Sequence, residues 1–236
     1  MQRVLITGAG RGLGLELTRQ CLKRGDYVFA GARHPEKAPH LQELKTIYPD
    51  QLQIVALEVT DSASIEKSYE TVRAQVDGLE LLINNAGIFT STDAGARIGQ
   101  LEAERMLAMF HINSVGPLMI AQRYFDLLKA GEELPKVVNI TSESGSLADQ
   151  HGGSNYAYCA SKAALNMLTR VLAFEVIKSG IVAVMVHPGW MRTDMGGPQA
   201  TLPTEVSARG ILQLASRLTT QDAGRFFDWN GAEHRW

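Results

Sequence analysis

Val4-Leu5-Ile6-Thr7-Gly8-Ala9-Gly10-Arg11-Gly12-Leu13-Gly14 decides the fold. Three apolar residues make a short strand, and glycines crowd the turn behind it. An amphipathic segment from Leu15 to Lys23 then stops at Gly25, a residue suited to a left-handed helix end. Tyr27–Ala32 is a second apolar run. Strand, glycine turn, helix, strand is a βαβ unit. Its glycines let the backbone bend tightly and approach a pyrophosphate, while the helix offers unpaired N–H groups and the positive end of its dipole. A plain tight turn is the alternative, but the strand before and the helix after supply the context a phosphate site requires.

Working outward, the alternation continues. A weaker helix is predicted over 35–48, interrupted by Pro39, and a third strand over 52–57. Asp61 and Ser62 can cap a helix striped by Ile65, Tyr69, Val72 and Val76. A fourth strand, 79–83, runs into Asn84-Asn85-Ala86-Gly87, and a loop rich in glycine and small polar residues extends to about Gly99. One long helix spans about 102–129, with Pro117 placed to bend it. A fifth strand, 137–140, precedes a helix over about 156–179. A fully apolar sixth strand, 181–186, a loop over 189–203, a helix over 204–218 and a short strand, 225–228, complete the chain. Strands alternating with helices throughout predict an α/β protein with a doubly wound parallel sheet in one domain, 1–236.

The chain has 236 residues, 45% hydrophobic and 20% charged, with a formal charge of -2. That balance carries no bias toward nucleic acid or an anionic membrane. Cys21 and Cys159 cannot form a disulfide framework and match no zinc spacing, so no metal site is expected. The N-terminus enters a strand at once, and no apolar run approaches the ~20 residues of a membrane span. These features lead to the expectation of a cytoplasmic protein.

Tyr158 and Lys162 stand four residues apart on the 156–179 helix and so share one face. An ammonium near a phenol favours the phenolate and lowers its pKa from about 10, readying it for proton transfer. Tyr156 has Ala160 at that spacing and cannot play this part. A tyrosine–lysine pair alone is weak, because it recurs by chance on many helices.

Thr7-Gly8-x-x-x-Gly12-x-Gly14 is not the G-x-G-x-x-G spacing; it resembles the T-G-x-x-x-G-x-G fingerprint of the short-chain dehydrogenase/reductase family. The resemblance covers essentially the whole chain. Asn84-Asn85-Ala86-Gly87 matches the family's N-N-A-G, and Asn113 its helix asparagine. Ser142 matches its catalytic serine, Tyr158 and Lys162 its Y-x-x-x-K, and Pro188-Gly189 with Thr193 its P-G-x-x-x-T. Within the family, Trp190–Gly197 and Gly224–Asp228 look like the sniffer-like carbonyl reductase and C-factor-like branch. The resemblance implies a Rossmann-type sheet of seven strands in the order 3-2-1-4-5-6-7, helices on both faces, and hydride transfer from a nicotinamide cofactor to an aldehyde or ketone, or the reverse. It implies catalytic roles for Asn113 (holding a proton-relay water), Ser142 (hydrogen-bonding the carbonyl oxygen), Tyr158 (proton donor) and Lys162 (ribose hydroxyls). The cofactor is then held by Thr7, Gly8, Gly10, Arg11, Gly12, Leu13, Gly14, Asn85, Ala86, Gly87, Tyr158, Lys162, Pro188, Gly189 and Thr193. It also implies a homodimer or homotetramer joined through the two long helices.

Strand 2 ends Gly31-Ala32-Arg33, with no carboxylate to accept the adenosine 2′-hydroxyl. Arg33 and Arg11 offer two guanidiniums to a 2′-phosphate, so NADP(H) is expected over NAD(H). Glu58-Val59 stands where the family has Asp-Val; Val59 is expected against the adenine, and Glu58 leaves the polar contact open. Trp190 and Met195 in the 189–203 loop suggest a lid over an apolar carbonyl substrate, with Glu143 a further candidate. His111, His151 and His187 have no ligand partners in sequence and read as core, capping or loop residues. A signalling or redox-sensing protein that binds the cofactor with little turnover is the rival reading; a role in binding alone does not require Ser142.

Overall fold

The computed structural model describes residues 1–89 and 96–236. Part of the glycine-rich loop expected up to Gly99 therefore lies outside the described residues. Seven strands form one sheet: β1 (Arg3–Ile6), β2 (Tyr27–Ala32), β3 (Leu52–Ala56), β4 (Leu81–Asn84), β5 (Lys136–Ile140), β6 (Val182–His187) and β7 (Phe226–Asp228). Their order is β3-β2-β1-β4-β5-β6-β7, the order expected, and every neighbouring pair is parallel.

Both faces are covered, and the residue alternation along each strand sorts the core into two halves. Val4, Ile6, Val28, Ala30, Ile83, Val138, Val184 and Val186 pack on one face against Leu17, Cys21 and Leu22 of α1 (Gly12–Lys23), Leu41 of α2 (Pro39–Ile47) and Ile211 of α8 (Thr204–Arg217). Leu5, Phe29, Leu82, Val137 and Ala183 pack on the other. Their partners are Ile65 and Tyr69 of α3 (Ser62–Arg73), Ile120 of α5 (Gly116–Arg123), Leu127 of α6 (Phe125–Lys129) and Ala173 of α7 (Tyr156–Val176). Asp61 caps α3 as expected, accepting from the Ala63 amide.

Two helices differ from expectation. Pro39 does not interrupt a helix; it starts α2, where its missing N–H costs nothing, behind a separate 3-10 turn at Pro35–Lys37. The long helix over 102–129 is four pieces: α4 (Ala103–Phe110), a π-helical turn at His111–Val115, α5 and α6. Pro117 cannot donate to the carbonyl of Asn113 four residues back, and the helix widens just there. Strand ends elsewhere move by a residue or two.

Candidate active site

The C-terminal strand ends carry the site, and the tightest construction joins β1 to β4. Thr7 is buried, and its Oγ1 accepts from the Asn85 and Ala86 amides, both at 3.0 Å. The Asn85 side-chain amide returns bonds to the carbonyls of Thr7 (3.0 Å) and Gly8 (3.1 Å). Thr7 and Asn85 thus lock the two strand ends together. Gly8 has φ +63°, and a Cβ there would sit 2.8 Å from Ala86 Cα. A Cβ on Gly14 would strike the Gly8 carbonyl and approach Asn85 Nδ2 to 2.5 Å. Neither position accepts a side chain. α1 begins at Gly12 with no side chain capping it, so its first amides face the cradle free of an internal carboxylate or hydroxyl. A dinucleotide pyrophosphate fits this arrangement. Leu13 is buried beneath the turn.

The two arginines stand at the rim, each beside a carboxylate. Arg11 Nη1 lies 2.9 Å from Asp194, and Arg33 Nη1 lies 3.5 Å from Glu58. Glu58 also accepts from Thr60 through backbone and hydroxyl. Val59 is buried, and a Cβ on Gly116 at the start of α5 would lie 3.2 Å from its Cβ.

Ser142 follows β5 and caps a 3-10 turn, Glu143–Gly145. Its Oγ accepts from the Ser144 amide at 3.1 Å, which leaves the hydroxyl proton to be given elsewhere. Tyr158 sits in the first turn of α7, partly buried, its ring 4.8 Å from that of Phe89. Burial raises the phenol pKa above 10.0, while hydrogen bonding with Ser142 pulls it the other way. The Lys162 ammonium is buried one turn further on, donates to the Ile140 carbonyl at 2.9 Å and lies 5.8 Å from the Tyr158 ring centre. Burial lowers its pKa to about 8. The expected lowering of the phenol by the ammonium is therefore corrected: desolvation dominates both groups, and it disfavours the charged form of each.

Asn113 lies in the π-helical turn, fully buried. Its Oδ1 accepts from the Ile88 amide (2.8 Å), and its Nδ2 donates to the Ile88 carbonyl and to Ser161 Oγ, both at 3.0 Å. Both amide hydrogens are used, so the side chain clamps the chain after β4 onto α7. Gly87 lies beneath this clamp: a Cβ there would sit 3.3 Å from Asn113 Oδ1 and 3.7 Å from Lys162 Nζ.

The 189–203 loop is a folded unit. Gly189 turns it with φ +80°, Pro188 is buried, and its carbonyl accepts from Ser207 at 2.6 Å. Across it the Arg192 amide donates to the Leu202 carbonyl and the Leu202 amide to the Trp190 carbonyl, both at 3.1 Å, and Thr193 Oγ1 accepts from the Gly196 amide at 3.1 Å. Trp190 bonds the Gly196 carbonyl at 2.8 Å yet remains 52% exposed, and Met195 is 45% exposed. Glu143 is exposed, its carboxylate 3.8 Å from His187. Phe89 escaped the sequence reading; an apolar residue just past Asn84–Gly87 was the signal available.

Fold and site together define a doubly wound α/β protein in which a glycine turn, Ser142, Tyr158 and Lys162 gather at the C-terminal strand ends. The family model for short chain dehydrogenase matches residues 2–202, and the chain belongs to that family. It is 42% identical to the C-signal protein of Myxococcus xanthus over 158 residues, 67% of this chain and 93% of that protein. Among solved structures it is similar to an NADPH-bound carbonyl reductase from chicken fatty liver, with a TM-score of 0.93, 36% identity, and coverage of 100% and 99% of the two chains. The carbonyl reductase Sniffer of D. melanogaster superposes with a TM-score of 0.94 at 31% identity, with both chains fully covered. These relatives lie in the branch that Trp190–Gly197 and Gly224–Asp228 indicated. The chain is thus an oxidoreductase of the short-chain family, similar in structure to carbonyl reductases. Among the described residues no helix is long and apolar enough to cross a membrane, and no group of His, Cys, Asp or Glu could hold a metal ion.

Proposed function

We propose that this chain reduces an aldehyde or ketone with NADPH and gives the proton from Tyr158. The observation that carries the reading is the meeting of Tyr158, Ser142 and Lys162 beside a glycine cradle at the C-terminal strand ends. When bound, the reduced nicotinamide supplies the hydride. The uncapped amides of α1 take the pyrophosphate. Arg11 and Arg33 take the 2′-phosphate; their exposed carboxylate pairs are worth only ~0–1 kcal/mol each, so a phosphate dianion displaces them. Lys162 takes the ribose hydroxyls. Ser142 donates its hydroxyl proton to the carbonyl oxygen where negative charge develops, and the Tyr158 phenol protonates that oxygen. A phenol held above its ordinary pKa is protonated at neutral pH, the form that reduction uses; the reverse oxidation needs the phenolate and gains as pH rises. Asn113 serves by holding the wall beside Lys162.

Phe89, Trp190 and Met195 favour an apolar or aromatic carbonyl, with the 189–203 loop as lid over a single domain. Exposed Leu107 on α4 and Met167, Val171 and Phe174 on α7 support a homodimer or homotetramer through these helices. Two free thiols and dependence on NADPH fit a reducing cytoplasm.

The test is NADPH oxidation across aldehydes, ketones, quinones and dicarbonyls, with wild type and Tyr158→Phe. Wild type turns over at least one class. Tyr158→Phe loses roughly a thousandfold in kcat and keeps its NADPH affinity. Near-normal turnover in that variant sinks the assignment. Similarity to the C-signal protein favours a second reading, a cofactor-binding signalling or redox-sensing protein, and absence of turnover on every class would promote it.

A further inference from the structure

The four amides of the turn that carries Ser142 can all be accounted for. Ser144 N–H goes to Ser142 Oγ (3.1 Å), Gly145 N–H to the Ser142 carbonyl (2.9 Å) and Ser146 N–H to the Glu143 carbonyl (2.9 Å). These bonds are internal to the turn. The fourth, Glu143 N–H, leaves it and ends on Nδ1 of His187 at 3.0 Å. His187 is the last residue of β6. The β5–β6 register ends at Ile140↔Val186, followed by a bond from the Thr141 amide to the Val186 carbonyl (2.9 Å). The imidazole then stands where the next ladder acceptor would be, and fixes the main chain beside Ser142 to the sheet.

We propose that His187 is a positioning residue for carbonyl reduction: its neutral imidazole accepts the Glu143 amide and so aims the Ser142 hydroxyl, and protonation of the ring releases it. This rests on the carbonyl-reductase reading above. Acceptance at Nδ1 places the ring proton on Nε2, which lies 3.8 Å from the Glu143 carboxylate. An imidazolium would carry a proton on Nδ1 as well, set donor against donor, and lose the bond. The titratable neighbours are Glu143 on the turn, Asp228 on β7, Lys162 on α7 and His234, whose ring centre is 5.8 Å away and which itself bonds Asp228 at 2.8 Å. The two carboxylates favour the imidazolium; burial, Lys162 and His234 oppose it, and burial outweighs the rest, so the pKa falls below 6.5. The ring is therefore neutral at pH 7, and the loss of positioning belongs to the acid side.

Asn and Leu at this position separate an acceptor from mere volume. Asn places Oδ1 close to where Nδ1 stands and does not titrate; Leu fills space and accepts nothing. His187→Leu should lower kcat at pH 7 by about tenfold with NADPH affinity unchanged, since the Glu143 amide loses the imidazole acceptor that ties it to the sheet. His187→Asn should restore most of that kcat and abolish the acid limb of the wild-type kcat profile. Equal losses in both variants, or an acid limb that survives in His187→Asn, overturn the proposal. A measurement independent of turnover is the Glu143 amide proton shift in ¹⁵N-labelled protein. It should titrate below pH 6.5 in wild type and stay flat in His187→Asn. If no carbonyl is reduced by wild type, this titration still decides: a Glu143 amide that ignores pH overturns the proposal.

Discussion

The floor of the site and the loop above it are built differently. The floor is locked from below: Thr7 and Asn85 cross-link β1 to β4, Asn113 clamps the chain after β4 to α7, and Lys162 is anchored on β5. Every one of these bonds joins residues far apart in sequence. The 189–203 loop holds itself through bonds between close neighbours, Trp190 to Gly196, Thr193 to Gly196, Arg192 to Ala200. It presents Trp190 and Met195 to solvent. A floor fixed by distant contacts tolerates no change of shape, whereas a locally closed loop can vary its exposed side chains without disturbing what it covers. Under the proposed function, reaction and substrate choice fall to separately built parts.

Glycine gives the sharpest way to break this contrast. Gly14→Ala drives a methyl into the Gly8 carbonyl and Asn85, and should cost about 3 kcal/mol in urea unfolding along with the pyrophosphate site. Gly197→Ala in the loop has nothing within 4 Å of the new methyl and a φ of +73°, so only the left-handed backbone is penalised, by about 1 kcal/mol. Equal costs would erase the distinction.

Lys162→Met tests whether the floor stores strain. A folded pKa near 8 against 10.5 unfolded means that burying the ammonium costs about 3 kcal/mol below pH 8. Losing the bond to Ile140 returns about 1 kcal/mol of that, so the variant should be about 2 kcal/mol more stable at pH 7 while losing activity. Between pH 8 and 10.5 the unfolded chain binds more protons than the folded one, so wild-type stability rises there and the advantage of Met disappears. Urea unfolding at pH 7 and pH 10 measures both limits; a destabilised variant at pH 7 would refute the burial argument.

At the rim, Arg33→Ala should raise KM for NADPH about tenfold and leave KM for NADH nearly unchanged. Equal preference in wild type would remove the 2′-phosphate role. Trp190→Ala should have the smallest effect, under about 1 kcal/mol in stability, and appear as a several-fold change in KM between bulky and small carbonyls. A uniform loss of kcat across substrates would place Trp190 in the floor instead.

Much of this was legible in sequence for identifiable reasons. Strand order follows from the βαβ pattern and the family's motifs, and Gly8 and Gly14 stand where only glycine fits. Asn85 and Tyr158 are named by motifs whose spacing survives folding. The π-helical turn was not legible, because His111–Val115 keeps ordinary helix chemistry and only Pro117 hints at a break. The tyrosine–lysine spacing gave adjacency but not burial, and burial decides the direction in which both groups titrate. Phe89 and His187 meet partners 69 and 44 residues away, at distances no local pattern encodes.

Strand order also fixes the sequence in which the site can be assembled as the chain leaves the ribosome. β1, β2 and β3 are neighbours and are complete by Ala56; β4 joins β1, and each later strand then docks on the one made just before it. The phosphate cradle is finished once Asn85 and Ala86 emerge, before either Ser142 or Tyr158 exists. Ser142 acquires its brace only when His187, the end of the sixth strand, arrives. In chain order the Thr7–Asn85–Ala86 lock is therefore complete before the residues that surround Ser142 and Tyr158.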